Sequence, residues 1–164
     1  MPWSAGQVVT ALILGLDPGT ESPGFAAWSV LHQAIVYAAA TPPPWAVDAI
    51  VTESGWAHGP MGKTQMWGLG WRAAWQTRDC LDRSPEAAVY TIAPKAWRAA
   101  LGGLPANAPN PIIVARLRIL RYRDVSSAWT DDMVEAAGLA EAGAIVLARN
   151  FKKDRKGLTE VKRT

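Results

Sequence analysis

The sequence predicts an α/β layer fold: one mixed sheet with helices packed on it. Two observations predict it. Three apolar runs follow one another closely, Val8–Leu16, Phe25–Leu31 and Ala34–Ala39, which is the spacing of an antiparallel meander. Two more apolar runs, Val47–Thr52 and Ala88–Ile92, then alternate with stretches of helical spacing, as in strand–helix units.

Each element has a local reason. The turn after Leu16 is rich in Gly, Pro and Ser, and His32-Gln33 is a tight connection between the second and third strands. "TPPPW" breaks the strand pattern before the fourth. "SGWAHGPMG" reads as a loop, and Lys63–Leu81 as a helix with Trp67, Trp71 and Trp75 on one stripe. Pro94–Leu101 opens a short helix with Pro in its first turn. "GGLPANAPNP" is a loop, and Asn110-Pro111 caps and starts a helix through Arg121. "SSAWTDD" precedes a last helix, Asp131–Ala148. No internal repeat is visible.

Composition narrows the class. The chain has 164 residues, 49% hydrophobic and 19% charged, which suits one folded domain rather than a disordered segment. The apolar runs are too short to span a membrane. "MPWSAGQ" lacks the basic start of a secretory signal. Cys80 is the only cysteine, so no internal disulfide forms. The expected location is a reducing cytoplasm. The net charge of +3 is uneven. Residues 150–164 hold six basic groups against two acidic, leaving 11 basic against 12 acidic for the other residues. Two units are expected, a domain over 1–149 and a basic tail over 150–164. The tail suits a polyanionic partner or is simply a solvated terminus.

The acidic residues carry the chemistry. Asp17 ends the first strand and Glu53 the fourth. If those strands are neighbours, their ends meet. Asp131, Asp132 and Glu135 open the last helix, and Glu135 shares a face with either aspartate. Taken singly, each has a structural use, as a turn former, a strand-end residue or a first-turn helix residue. Together they form a set of converging carboxylates, which repel one another unless a cation holds them ionised. Oxygen ligands in this number suit Mg²⁺ or Mn²⁺. Two such ions about 4 Å apart serve phosphodiester hydrolysis.

The motifs carry a family resemblance. "LILGLDPGTESPGFAAWSV" resembles the first motif of RuvC-type Holliday junction resolvases, members of the RNase H-like nuclease superfamily. "AIVTESGW" resembles their second motif, and "TDDMVEAAGLAEAGAI" their last. "TIAPKAWRAALG" is similar to a P-x-x-W stretch of phage and bacterial members, and the compact chain looks like a phage-encoded one. The order covers Val8 to Ala148.

The resemblance implies an RNase H-like five-stranded mixed sheet, order 3-2-1-4-5, flanked by helices. It implies Asp17, Glu53, Asp132 and Glu135 as catalytic, metal-binding residues using Mg²⁺, with Mn²⁺ able to substitute. It further implies a homodimer that resolves four-way DNA junctions by paired nicks. Two features depart from the family. Its last acid is usually Asp, and here it is Glu135. Its helix between strands three and four is missing, because "ATPPPWAVD" is too short to hold one. Eight extended residues reach ~27 Å, enough to cross two or three strands.

Several residues suit DNA. Trp56, three residues after Glu53, is placed to stack on a base, or else folds onto the core. Lys63, Lys95 and Arg98 follow strand ends on the side of Asp17 and Glu53 and suit phosphate contacts. Arg116, Arg118, Arg121 and Arg123 do not share one face, so part of that cluster is solvation. The Trp stripe suits a core or subunit interface better than base stacking. His32 and His58 show no metal-ligand spacing.

The same carboxylates also serve other RNase H-like nucleases, acting on flaps, replication intermediates or RNA–DNA hybrids. A sugar-kinase or actin-like fold shares the "GLDPGTESPGF" look but needs far more chain. A DNA-binding module that has lost catalysis is disfavoured, since all four acidic positions are occupied.

Overall fold

The N-terminal meander forms as expected. β1 (Leu12–Asp17), β2 (Gly24–Ser29) and β3 (Ala34–Ala39) pair antiparallel. This computed structural model describes residues 11–19, 22–54, 63–104, 129–149 and 155–162, with the backbone alone described over 63–71. β4 (Ala49–Glu53) lies parallel to β1, and β5 (Ala88–Ile92) parallel to β4. The expected order 3-2-1-4-5 is present, and the sheet continues to a sixth strand, β6 (Leu158–Glu160), antiparallel to β5. Three helices are described: α1 (Lys63–Arg83), α2 (Pro94–Ala100) and α3 (Asp131–Leu147). None is long and apolar enough to cross a membrane. The helix expected over Asn110–Arg121 lies outside the described residues.

Side chains alternate across a strand, so each strand feeds two cores. Ile13, Ala26, Trp28, Ala49 and Val51 pack on one face, against α3. Leu14, Leu16, Phe25, Ala27 and Ile50 pack on the other, with Cys80 of α1. The same alternation sends Asp17 and Glu53 to the α3 face.

α3 lies unusually close to the sheet. A Cβ on Gly15 would overlap the carbonyl oxygen of Ala136 and stand 2.8 Å from the amide nitrogen of Ala140. One on Gly24 would run into the backbone of Asp132. Small residues along α3, among them Ala136, Ala140 and Gly143, meet this approach from the helix side. The seat brings the acidic first turn of α3 down onto the end of β1.

The link between β3 and β4 crosses β2 and β1 without a helix, as its length predicted. It is pinned by Arg83 on the carbonyl oxygen of Pro43 (3.2 Å), by Ser84 Oγ accepting from Val47 N (2.8 Å) and by Asp48 Oδ2 accepting from Leu12 N (2.8 Å).

One expectation is corrected at the C-terminus. Read from sequence, residues 150–164 were a basic tail outside the domain. Instead Leu158–Glu160 extends the sheet, and Arg155 donates to the carbonyl oxygens of Leu147 and Arg149, both at 3.0 Å. A cation at a helix C-terminus satisfies free carbonyls and complements the helix dipole. The segment therefore closes α3 and protects the edge of β5.

Candidate active site

Asp17 and Glu53 end two parallel, adjacent strands. Leu16 pairs with Thr52 in the β1–β4 register, so the two acids stand one residue further on. Both face α3. Asp17 is 5% exposed. Its Oδ1 accepts from Gly19 N at 3.1 Å, and its carboxyl shares a side-chain hydrogen bond with Glu135. Burial foremost, then the hydrogen bond to Glu135 and its charge, push Asp17 up to about 8. The Gly19 N–H offsets this in part.

Thr130 caps α3, its hydroxyl accepting from Met133 N at 3.3 Å. Asp131 is exposed, whereas Asp132 is half-buried. Asp132 Oδ2 lies over the turn after β1, 2.8 Å from where a Cβ on Gly19 would stand, and Gly19 has a positive φ of 61°. Of the two aspartates, Asp132 is the one that reaches the turn following Asp17, at Gly19.

Glu53 is held differently. Its Oε2 accepts from Trp97 Nε1 at 2.5 Å and lies 3.6 Å from an Arg98 guanidinium nitrogen. Burial raises its pKa most, the Trp97 N–H and the Arg98 charge lower it, and the Asp17 charge raises it. The four acids therefore form a carboxyl pair, Asp17 with Glu135, flanked by Asp132 and by a separately tethered Glu53. Among the described residues, no three of His, Cys, Asp and Glu are grouped as a ready-made metal cage.

Among the basic candidates, Lys95 is exposed. Arg98 faces Glu53 and Trp97, its side chain only 11% exposed. Trp56 and His58, Arg116, Arg118, Arg121 and Arg123, and the side chains of Lys63, Trp67 and Trp71, lie outside the described residues. Trp75 is 56% exposed, with the Arg78 guanidinium 5.6 Å from its ring centre, so this member of the stripe is not core.

Two participants had no assigned role at the sequence level. Arg72 of α1 donates to the carbonyl oxygen of Gly19 at 3.1 Å and ties that helix to the Asp17 turn. Trp97 stood in the P-x-x-W stretch, but no local pattern linked it to an acid 44 residues earlier.

The sheet order and the closing helix α3 packed over one of its faces match the RNase H-like class of fold. Solved structures make the likeness more particular. The structure of Thermus thermophilus RuvC matches with a TM-score of 0.61 at 14% identity, over 92% of this chain and 99% of that one. T. thermophilus RuvC in complex with a Holliday junction substrate matches with a TM-score of 0.57 at 13% identity, over the same shares. The chain has the RuvC fold. No family model and no curated protein sequence matches it.

Proposed function

We propose that this chain is a metal-dependent endonuclease that resolves four-way DNA junctions by paired nicks, as a cytoplasmic homodimer. The observation that carries the reading is the buried Asp17–Glu135 carboxyl pair at the strand ends, with Glu53 on the next strand, on a RuvC fold. Two carboxyl groups in contact are an unfavourable arrangement unless a proton or a cation lies between them.

The donor set fits a hard divalent cation, because Asp17, Glu135, Asp132 and Glu53 offer only carboxylate oxygens. Bound Mg²⁺, or Mn²⁺ in its place, supplies an activated water and charge stabilisation at the scissile phosphate, and two ions are the expected complement. The chain's own residues do the positioning. β1 and β4 fix the origins of Asp17 and Glu53. The close seat of α3 fixes Asp132 and Glu135. Arg72 restrains the turn after Asp17. Glu135, longer than the usual Asp, reaches the Asp17 carboxyl from one helical turn further along α3. Lys95 is available to phosphate at the rim, and Trp56 and Lys63 complete the proposed DNA contacts.

The test is cleavage of a four-way junction, a flap and an RNA–DNA hybrid, each with Mg²⁺, Mn²⁺ or chelator. Symmetric, metal-dependent nicks in the junction are expected. Preferred cutting of the flap or hybrid assigns a different RNase H-like substrate. Junction binding without nicking under any metal leaves a binding module.

A further inference from the structure

Trp97 is fully buried, with 0% of its surface exposed. An indole can only donate, and a buried N–H without a partner is costly. Its partner is one oxygen of one acid, Glu53 Oε2. The same ring touches α3, where a Cβ on Gly138 would stand 2.8 Å from Trp97 Cζ3. Gly138 follows Glu135 by three residues on that helix. One side chain thus bears on both Glu53 and the helix that carries Asp132 and Glu135.

Arg98 completes the arrangement. Its guanidinium carbon lies 4.1 Å from the Trp97 ring centre, and its NH1 lies 3.6 Å from the same Oε2. Its Nε is buried with no hydrogen-bond partner among the described residues. A surface arginine free to choose would not leave a donor orphaned. This one is held in the stack by Trp97 and Glu53.

We propose that Trp97 and Arg98 are positioning residues for Glu53, engaging Oε2 so that Oε1 is the oxygen Glu53 presents to a divalent cation. The inference rests on the metal-dependent reading above. Partners that orient a ligand from behind typically change metal affinity or activity 10–100-fold when removed. The competing account is that Glu53 merely satisfies a buried indole and Trp97 matters only for packing.

A mutant cycle on Mn²⁺ binding separates these accounts. Mn²⁺ is titrated into metal-free protein without DNA, followed by electron paramagnetic resonance, for wild type, Trp97→Phe, Glu53→Gln and the double variant. Phe removes the N–H together with the outer ring whose Cζ3 faces Gly138, so the comparison between the two backgrounds, rather than the single variant, carries the test. Trp97→Phe is expected to weaken Mn²⁺ binding about tenfold, and to add nothing in the Glu53→Gln background. An equal loss in both backgrounds, or none in wild type, overturns the proposal. If Trp97→Phe does not fold, Arg98→Gln enters the same cycle, with a smaller loss expected and again none when Glu53 is replaced. If Glu53→Gln weakens Mn²⁺ binding but neither partner does, the positioning role alone falls. If Glu53→Gln binds Mn²⁺ like wild type, Glu53 is no ligand and both readings fall.

Discussion

Asp17 lies against Glu135, a carboxyl against a carboxyl, while Glu53 on the neighbouring strand lies against an indole N–H and a guanidinium. Both acids end parallel strands, face the same helix and are largely buried. They differ in what meets them. On the Asp17 side the partner is a second carboxyl, and this side gains most from a cation. The Glu53 side already has its donors and holds a fixed direction with or without one. A fold that needs several carboxylates together can thus leave one pair to the incoming ion and tether the remaining ligand beforehand.

The largest effect should come from breaking the first side. Asp17→Asn is expected to reduce junction cleavage by roughly a thousandfold, the order set by losing several kcal/mol of metal-borne charge stabilisation. Junction binding should persist, since phosphate contacts carry it. Gel-shift and nicking assays on one preparation read both. Cleavage near the wild-type rate would remove Asp17 from the centre of the site.

A thermal measurement sharpens the same contrast. Asp17 has its pKa raised from 3.8 to about 8, so between those values the folded chain holds a proton that the unfolded chain has released. This contribution to stability is fully present below pH 4 and is lost as pH rises through 8. Melting temperature in chelator should therefore fall from pH 5 to pH 9, and fall less in Asp17→Asn. Saturating Mg²⁺ at pH 8 should raise it in wild type, because the folded state gains about 2.7 kcal/mol at a hundredfold excess over Kd. Asp17→Asn should gain much less. Equal pH profiles for the two proteins would show that the carboxyl pair is not the strained element.

Truncation tests the other side. Gly157 O accepts from Ala93 N at 2.9 Å, just before α2, and a Cβ on Gly157 would overlap the Cβ of Ala96. The C-terminal segment therefore backs the helix that carries Trp97 and Arg98. Removing residues 155–164 should lower the melting temperature, through the loss of β6 and of the Arg155 contacts at the end of α3. It should weaken cleavage through Glu53 more than it changes the pH slope due to Asp17. An unchanged melting temperature would return the segment to the role of a solvated tail.

The parts legible in sequence were those with a repeating signal. Apolar runs marked β1 to β5 because each strand buries one or both faces, and the acids were conspicuous where those runs stop. Asp17, Glu53 and Glu135 on one face follow from period two along strands and one turn along a helix. β6 was not legible, because Leu158–Glu160 is a three-residue edge strand with two polar side chains and no apolar run. The charge of Arg98 was visible in sequence, and its neighbour Glu53, far away in sequence, was not. The Trp97–Glu53 bond joins a helix to a strand end from another unit, and no local pattern encodes such a contact.

The smallest expected effects on stability separate the neighbours at the start of α3, where the two sides of the site share one helix. Thr130 is the cap, Asp131 is exposed and Asp132 lies over the Asp17 turn. Asp132→Asn should collapse cleavage with little loss of stability. Thr130→Ala should cost about 1 kcal/mol, about 3 °C in melting temperature for a chain of this size, because one first-turn N–H loses its acceptor. Its cleavage rate at a temperature well below melting should stay within a few-fold of wild type, since the close seat at Gly15 and Gly24 holds the helix in place without the cap. Asp131→Asn should do least: only its favourable charge near the helix N-terminus is lost, about 0.3–1 kcal/mol at low salt and less as salt rises. Melting curves at two salt concentrations, with nicking rates alongside, order the three variants. If Asp131→Asn is the inactive one, the helix presents Asp131 rather than Asp132 to Asp17, and the acidic set must be redrawn with Asp131 and Glu135 on its helical side.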